Sequence, residues 1–377
     1  MWDSRTVKTR TFHLAISMRL RFCILTLSLA VLTACSKGRV TQQPTPSAPQ
    51  GDSSYIDAQG TAHIARVIPL PKTISPQAGE YLSRPIPDSA VNQTLAERRA
   101  RTDAMQLHDS EQNRVLYPVN IASSTIAGIP VRIVTPIHPI PADKMDRVLI
   151  NLHGGGFTTD SGSLTESIPI ANLTQTKVVA VLYRLAPENP FPAAVDDSVA
   201  VYKELLKTYK PQHIAIYGAS AGGILTAEVA VKIKQVGLPL PAALGIFTGT
   251  GDFSRLGDTQ AIYSVTGLAG HLNPPANGVQ WLADYVGSTN PKDPVLSPLY
   301  ADLHGMPPTL FLTSTRDMML SGTAILHRAF LRAGVDAHLA VFEALNHGFW
   351  YEANLPESKE ADEMIAHFFD AHLAPAR

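Results

Sequence analysis

The sequence predicts an α/β domain with a mostly parallel central sheet and helices on both of its faces. Three observations carry that expectation. Short, nearly unbroken apolar runs recur at 148–152, 178–183, 213–217, 242–247 and 309–313, as suits strands buried on both faces. Amphipathic or glycine-stopped helical stretches lie between them. The alternation holds from about residue 115 onward, the pattern of a parallel sheet wrapped by helices.

The N-terminal segment, residues 1–35, is set apart from the fold. Arg19-Leu20-Arg21 is a short basic start, and Met18 fits as the true first residue. Residues 22–32 form an apolar run, too short to span a bilayer, which takes ~20 residues. Leu32-Thr33-Ala34-Cys35 follows. It resembles the lipobox of bacterial lipoproteins. The resemblance implies lipidation of Cys35 and a membrane partner reached through that lipid. Ser36 in place of Asp points to the outer membrane, facing the periplasm. The alternative is a plain signal cut near Ala34 and a soluble periplasmic or secreted protein. The chain's two cysteines are Cys23 and Cys35, so the globular part is expected to hold no disulfide, cysteine metal site or cysteine nucleophile.

Residues 36–54 are rich in Thr, Gln, Pro, Gly and Ser and read as a disordered tether. Residues 55–118 read as an N-terminal cap region, and 119–377 as the main domain. Within it, Val195, Val199, Tyr202, Leu206 and Tyr209 share one helix face. Further helices are expected at 224–236, stopped by Gly237, at 324–333, stopped by Gly334, and at 357–373, with acids in its first turn. Residues 253–294 interrupt the alternation. So long an insertion usually has a job, and it reads as a second cap piece, with Tyr263, Trp281 and Tyr285 closing over a small substrate group. The net charge of −1, with no basic run interleaved with aromatics, excludes a nucleic-acid partner.

Two glycine-rich turns carry the chemistry. Gly218-Ala219-Ser220-Ala221-Gly222-Gly223 joins a strand to a helix. A serine in so tight a turn is pushed above the sheet edge with its hydroxyl exposed, and Gly218 and Gly222 let strand and helix approach. The helix N-terminus behind it offers unpaired N–H groups to an anion. His153-Gly154-Gly155-Gly156-Phe157 also follows a strand. Its backbone N–H groups can converge where a tetrahedral intermediate develops negative charge.

These two motifs occur in order with Tyr183-Arg184-Leu185-Ala186-Pro187-Glu188, Phe191-Pro192-Ala193-Ala194, Ser297-Pro298-Leu299 and His347-Gly348-Phe349. Together they resemble the bacterial hormone-sensitive-lipase-like esterases of the α/β-hydrolase fold, over roughly residues 85–377. The resemblance implies a Ser/Asp/His triad, an oxyanion hole, a helical cap, a small-molecule ester substrate, and no metal or other cofactor. It places Ala219 where members commonly carry Asp or Thr, and Asp317-Met318-Met319 where they often carry Asp-Pro-Leu.

That fold runs Ser, acid, His along the chain. Ser220 is the expected nucleophile. Of the later histidines, His327, His367 and His372 fall in predicted helices, His338 begins a strand and is expected to point into the sheet layer, His304 lies in a loop and His271 in the cap. His347 follows a strand and matches the family motif, so it is the expected base. Asp317, in the loop after the strand at 309–313, is the expected acid. Its rivals are Asp252, more in keeping with a turn or cap, and Glu343. By resemblance, the N–H groups of Gly155, Gly156 and Ala221 hold the oxyanion, while Gly154 serves the turn. The expected activity is hydrolysis of short- to medium-chain carboxylic esters through an acyl-enzyme. A lactone hydrolase and an arylformamidase or other amide hydrolase share the triad. A non-catalytic ligand-binding protein on this fold would usually lack a triad member.

Overall fold

A computed structural model describes residues 54–85, 93–255, 257–270 and 282–374. The chain divides into two units, Met1–Ile68 and Pro69–Arg377. The described part of the first is a small antiparallel hairpin, β1 (Tyr55–Ile56) and β2 (Ala62–His63), with Tyr55 paired to His63. The region expected as a single cap over 55–118 is therefore divided, and its helices belong to the larger unit. The lipobox with Cys35 and the tether at 36–53 lie outside the described residues.

The larger unit opens with α1 (Pro76–Leu82) and α2 (Leu95–Leu116). An antiparallel pair follows, β3 (Val119–Ile126) and β4 (Ile129–Pro136). Then come β5 (Val148–Leu152), α3 (Ser167–Thr174), β6 (Lys177–Val181), α4 (Ala193–Leu205), β7 (Ile214–Ala219) and α5 (Ala221–Gln235). The rest is β8 (Ala243–Phe247), α6 (Asp258–Ile262), α7 (Ala283–Val286), β9 (Thr309–Ser314), α8 (Leu320–Arg332), β10 (Ala337–Phe342) and α9 (Pro356–His372). The eight-stranded sheet has the order β10-β9-β8-β7-β5-β6-β4-β3. It is parallel from β10 to β6, and β4 and β3 add the antiparallel edge.

Alternation along the central strands builds two cores. Val148, Ile150 and Leu152 of β5 join Ile214 and Ile216 of β7 on one face, packed with α4, α5 and α8. Leu149, Ala215 and Tyr217 point to the other face, packed with α3 and α9. The period of two residues in a strand sets this division. Parallel strands all end at one edge, and the turns there collect the site residues.

Helix α2 is absent from the apolar pattern yet clearly built. Thr94 caps it, its hydroxyl accepting from the Glu97 N–H while the Glu97 carboxylate accepts from the Thr94 N–H, a reciprocal capping box. Polar contacts tie it to the rest of the larger unit. Arg99 donates to the carbonyls of Thr158 and Ala186 and forms a two-pronged pair with Glu188.

Candidate active site

Ser220 follows the last residue of β7 and immediately precedes α5, with φ 57° and ψ −122°. Such a backbone is costly for a residue with a side chain and persists only where its surroundings enforce it. Here the enforcement is visible. A Cβ on Gly222 would fall 1.7 Å from the Leu152 carbonyl oxygen, and one on Gly218 would fall 2.0 Å from it. Only glycine lets the turn lie this close to the end of β5. The helix begins at Ala221 rather than at the expected residue 224, because Gly222 and Gly223 are wound into its first turn. The Ser220 N–H is held by the Phe247 carbonyl, and its own carbonyl accepts from the Ile224 N–H.

The His347 Nε2 lies 2.8 Å from the Ser220 Oγ, and its Nδ1 lies 2.8 Å from the Asp317 Oδ1. His347 is nearly buried, Asp317 is buried, and Ser220 is partly exposed. Asp317 accepts further bonds from the Met319 N–H at 2.8 Å and the Thr313 hydroxyl at 2.7 Å, and from the Thr248 hydroxyl. Burial alone would raise the Asp317 carboxyl. The His347 ring beside it and the hydroxyls of Thr248 and Thr313 outweigh that and hold it below the usual carboxylate range.

The rival acids are occupied elsewhere. Asp252 accepts from the Ser254 N–H and hydroxyl and from Tyr300, a turn role. Glu343 is exposed and faces Thr315. His338, expected to point into the sheet layer, instead stands exposed beside Asp336: β10 is the edge strand, so one of its flanks meets solvent. His271 lies outside the described residues.

The glycine loop sits across from the serine turn. His153 is buried, stacked on Tyr183 with centroids 4.2 Å apart, and Tyr183 donates to the His153 carbonyl at 2.6 Å. The Gly154 N–H turns away to the Glu166 carboxylate at 2.9 Å. The N–H groups of Gly155 and Gly156, and that of Ala221 at the first position of α5, find no acceptor among the described residues. Gly155 has φ 120°, and a Cβ there would fall 2.1 Å from the Thr159 carbonyl oxygen.

The aromatic residues expected in the cap fare differently. Trp281 lies outside the described residues. Tyr263 is half-buried at the end of α6, its N–H bonded to the Thr259 carbonyl. Tyr285 is a correction: it belongs to the core rather than to a pocket wall. It is fully buried, stacks on Phe157, and donates to the buried Glu228. A phenol with its ring face and hydroxyl both used inside the protein has neither left for substrate. A cavity of about 360 Å³ does reach the glycine loop, lined in part by Gly155, Gly156, Thr159 and Leu282. A larger one, about 730 Å³, opens beside β10 and α9; His338 and Glu343 line it, and Ser220, Asp317, His347 and the glycine loop do not.

Sequence reasoning missed Thr248 and Thr313. Both stand at or just past the C-terminal end of a parallel strand, and that position was the available signal. It also missed Arg99, Glu166 and Tyr351, which tie the surrounding loops together.

Comparison with known proteins agrees with this architecture. The chain matches the model of a family described as alpha/beta hydrolase fold over residues 149–351. It is 30% identical over 232 residues to an acetyl-hydrolase of Streptomyces hygroscopicus, covering 60% of this chain and 77% of that protein. It is 30% identical over 242 residues to the carboxylesterase NlhH of Mycobacterium tuberculosis, covering 59% and 72%. Among crystal structures, one esterase superposes with a TM-score of 0.71 at 31% identity, covering 82% of this chain and 98% of that one. An esterase from the bacterial hormone-sensitive lipase family gives 0.68 at 29% identity, covering 80% and 99%.

Proposed function

The chain belongs to the alpha/beta hydrolase fold family, with bacterial hormone-sensitive-lipase-family esterases among its structural neighbours, and from that premise we propose that it is a serine carboxylesterase. One observation carries the reading: the His347 imidazole bridges the Ser220 Oγ and the Asp317 carboxylate at 2.8 Å on each side. Nε2 takes the serine proton as Oγ attacks the ester carbonyl. Nδ1–H stays on Asp317, which fixes the tautomer and stabilises the imidazolium. The new oxyanion is met by the N–H groups of Gly155, Gly156 and Ala221, donors oriented before the reaction begins. The C–O bond to the alcohol breaks as His347 returns the proton to it. Water, deprotonated by the same imidazole, then releases the acid from Ser220.

Short to medium acyl chains fit best. Tyr285 and Phe157 fill the space beside the glycine loop instead of lining a channel, and one of the relatives is named an acetyl-hydrolase. A series of p-nitrophenyl esters from acetate to palmitate tests this. kcat/KM should peak at or below the octanoate and fall at least about tenfold by the palmitate, a difference of 1.4 kcal/mol in the barrier. Turnover that climbs steadily to the palmitate would overturn the preference. Lactone and formanilide substrates belong in the same assay. Faster turnover of either would redirect the reading to its class without changing the triad.

The same proposal includes a lipid anchor at Cys35. Its support is the basic start, the apolar run at 22–32, Leu32-Thr33-Ala34-Cys35 and the tether after it. Among the described residues, no helix is long and apolar enough to cross a membrane. Several acyl chains on one cysteine hold far more firmly than one, since each buried CH₂ adds ~0.8 kcal/mol. Wild type is expected in the outer-membrane fraction and Cys35→Ala outside it. Equal partition of both into the soluble fraction would leave residues 22–32 as an ordinary cleaved signal.

A further inference from the structure

We propose that Glu166 is a positioning residue that locks the three loops of the site into one unit; this rests on the esterase reading above. Its carboxylate is buried where those loops meet. Oε1 accepts from the Gly154 N–H at 2.9 Å and the Tyr351 hydroxyl at 2.6 Å. Oε2 accepts from the Asn151 amide at 2.8 Å and the Ala219 N–H at 3.2 Å. Asn151 and Gly154 flank the start of the glycine loop. Ala219 is the residue before the nucleophile. Tyr351 lies in the turn that follows His347.

The surrounding chain makes room for this group. A Cβ on Gly162 would fall 1.8 Å from the Glu166 Oε1, and one on Gly154 would fall 2.9 Å from the Tyr351 hydroxyl. Both glycines are thus explained by the carboxylate cluster. The Glu166 backbone takes part as well, its carbonyl accepting from the Tyr217 hydroxyl at 3.1 Å.

Chemistry selects a carboxylate here. Two N–H groups and an amide converge on it together with a phenol, and an ionised carboxylate is acceptor-only, with about four lone-pair directions to offer. A glutamine of the same shape would turn an NH₂ toward two of those donors. The Gly154 peptide would then lose its anchor, and with it the orientation of the N–H groups of Gly155 and Gly156 that follow. The Ala219 peptide would likewise loosen the backbone that holds Ser220 at positive φ. Burial pushes the carboxyl up by more than the bonds from Tyr351, Gly154 and Asn151 pull it down, so it stays above the usual carboxylate range.

The distinguishing signature is a loss in kcat with KM retained, because the donors that meet the oxyanion act in the transition state more than in the ground state. The test uses the full-length enzyme and p-nitrophenyl acetate, with every variant assayed well below its own thermal midpoint. Glu166→Gln is expected to lower kcat about 10- to 100-fold, less than the 10²–10³ that follows removal of an oxyanion donor itself, with KM within about twofold of wild type. Glu166→Asp, which keeps the acceptor-only group, should recover part of that loss. Tyr351→Phe removes a single donor and keeps the test decisive if Glu166→Gln does not fold. It should lower kcat about threefold or more, and its effect should be less than additive with that of Glu166→Gln. Wild-type kcat in either Glu166→Gln or Tyr351→Phe, or a loss carried by KM alone, overturns the inference. Ser220→Ala separates the two failures. If it is inactive while Glu166→Gln matches wild type, the positioning role alone falls. If it retains activity, the esterase reading falls and the inference with it.

Discussion

Ser220→Ala is expected to lower kcat/KM for p-nitrophenyl esters by about 10⁴ to 10⁶, the range seen when a triad nucleophile is removed. The geometry explains why the loss should be chemical and not structural. Among the described residues, the Oγ makes one hydrogen bond, to the His347 Nε2. The turn itself is held by backbone, through Ser220 N–H to Phe247 and Ile224 N–H to Ser220. Alanine adds no atom to a crowded turn, and it carries a Cβ at φ 57° just as serine does. Stability should therefore stay within about 0.5 kcal/mol of wild type, as for a substitution that disturbs no packing. Wild type should be labelled by a fluorophosphonate at Ser220, and the variant should not be labelled. An alanine variant that turns over ester at more than about one hundredth of the wild-type rate would exceed the residual left by the oxyanion donors alone, and the nucleophile would lie elsewhere.

The serine turn, the glycine loop and the central strands were legible because each is written in local residue types. An apolar run bounded by glycine has few alternatives to a buried strand. Gly218, Ser220 and Gly222 are spaced as a strained strand-to-helix turn requires. The pieces that were not legible are held by long-range polar contacts. Helix α2 buries Gln106, Ser110 and Asn113 rather than an apolar stripe, so apolar periodicity is silent there, although Thr94 and Glu97 at its start carry the capping-box signal. Arg99 and Glu188 stand 89 residues apart, and no spacing rule joins them. Tyr285 shows the same limit in reverse. An aromatic in a long insertion suits a pocket wall or a core equally well. What decides it is Glu228, buried on α5, accepting the phenol hydroxyl, and a single sequence does not reveal that facing helix. Glu166 is the sharpest case. It reads as one more acid at the start of α3, yet its partners span residues 151 to 351.

Asp317→Asn should cost about 10⁴ in kcat, as when a triad aspartate is changed to its amide with geometry kept. The size follows from who donates to this carboxylate. His347 Nδ1, the Thr248 and Thr313 hydroxyls and the Met319 N–H all face it. An asparagine offers one acceptor oxygen, and its NH₂ must confront a donor wherever it turns. Directed at the imidazole, it selects the tautomer with the proton on Nε2, where it cannot take the proton of Ser220. The wild-type carboxyl is held below the usual range, so it remains ionised through a neutral or mildly acidic assay. The sign for stability follows. A carboxyl whose folded pKa is depressed contributes stability that is fully present above its unfolded value, ~3.9, and is lost as pH falls through the folded value. Asp317→Asn should therefore lose activity at every pH tested from mildly acidic to neutral, and should no longer make that contribution to the pH dependence of the thermal midpoint. Glu343→Gln is the comparison. Its carboxylate is exposed and, among the described residues, bonded to Thr315 alone, so its kcat/KM should stay within about twofold of wild type, as for a surface change away from the chemistry. If the large loss appeared in Glu343→Gln and not in Asp317→Asn, the acid of the triad would be misassigned, because only the group that bears on the Nδ1 of His347 can set the tautomer on which proton transfer from Ser220 depends.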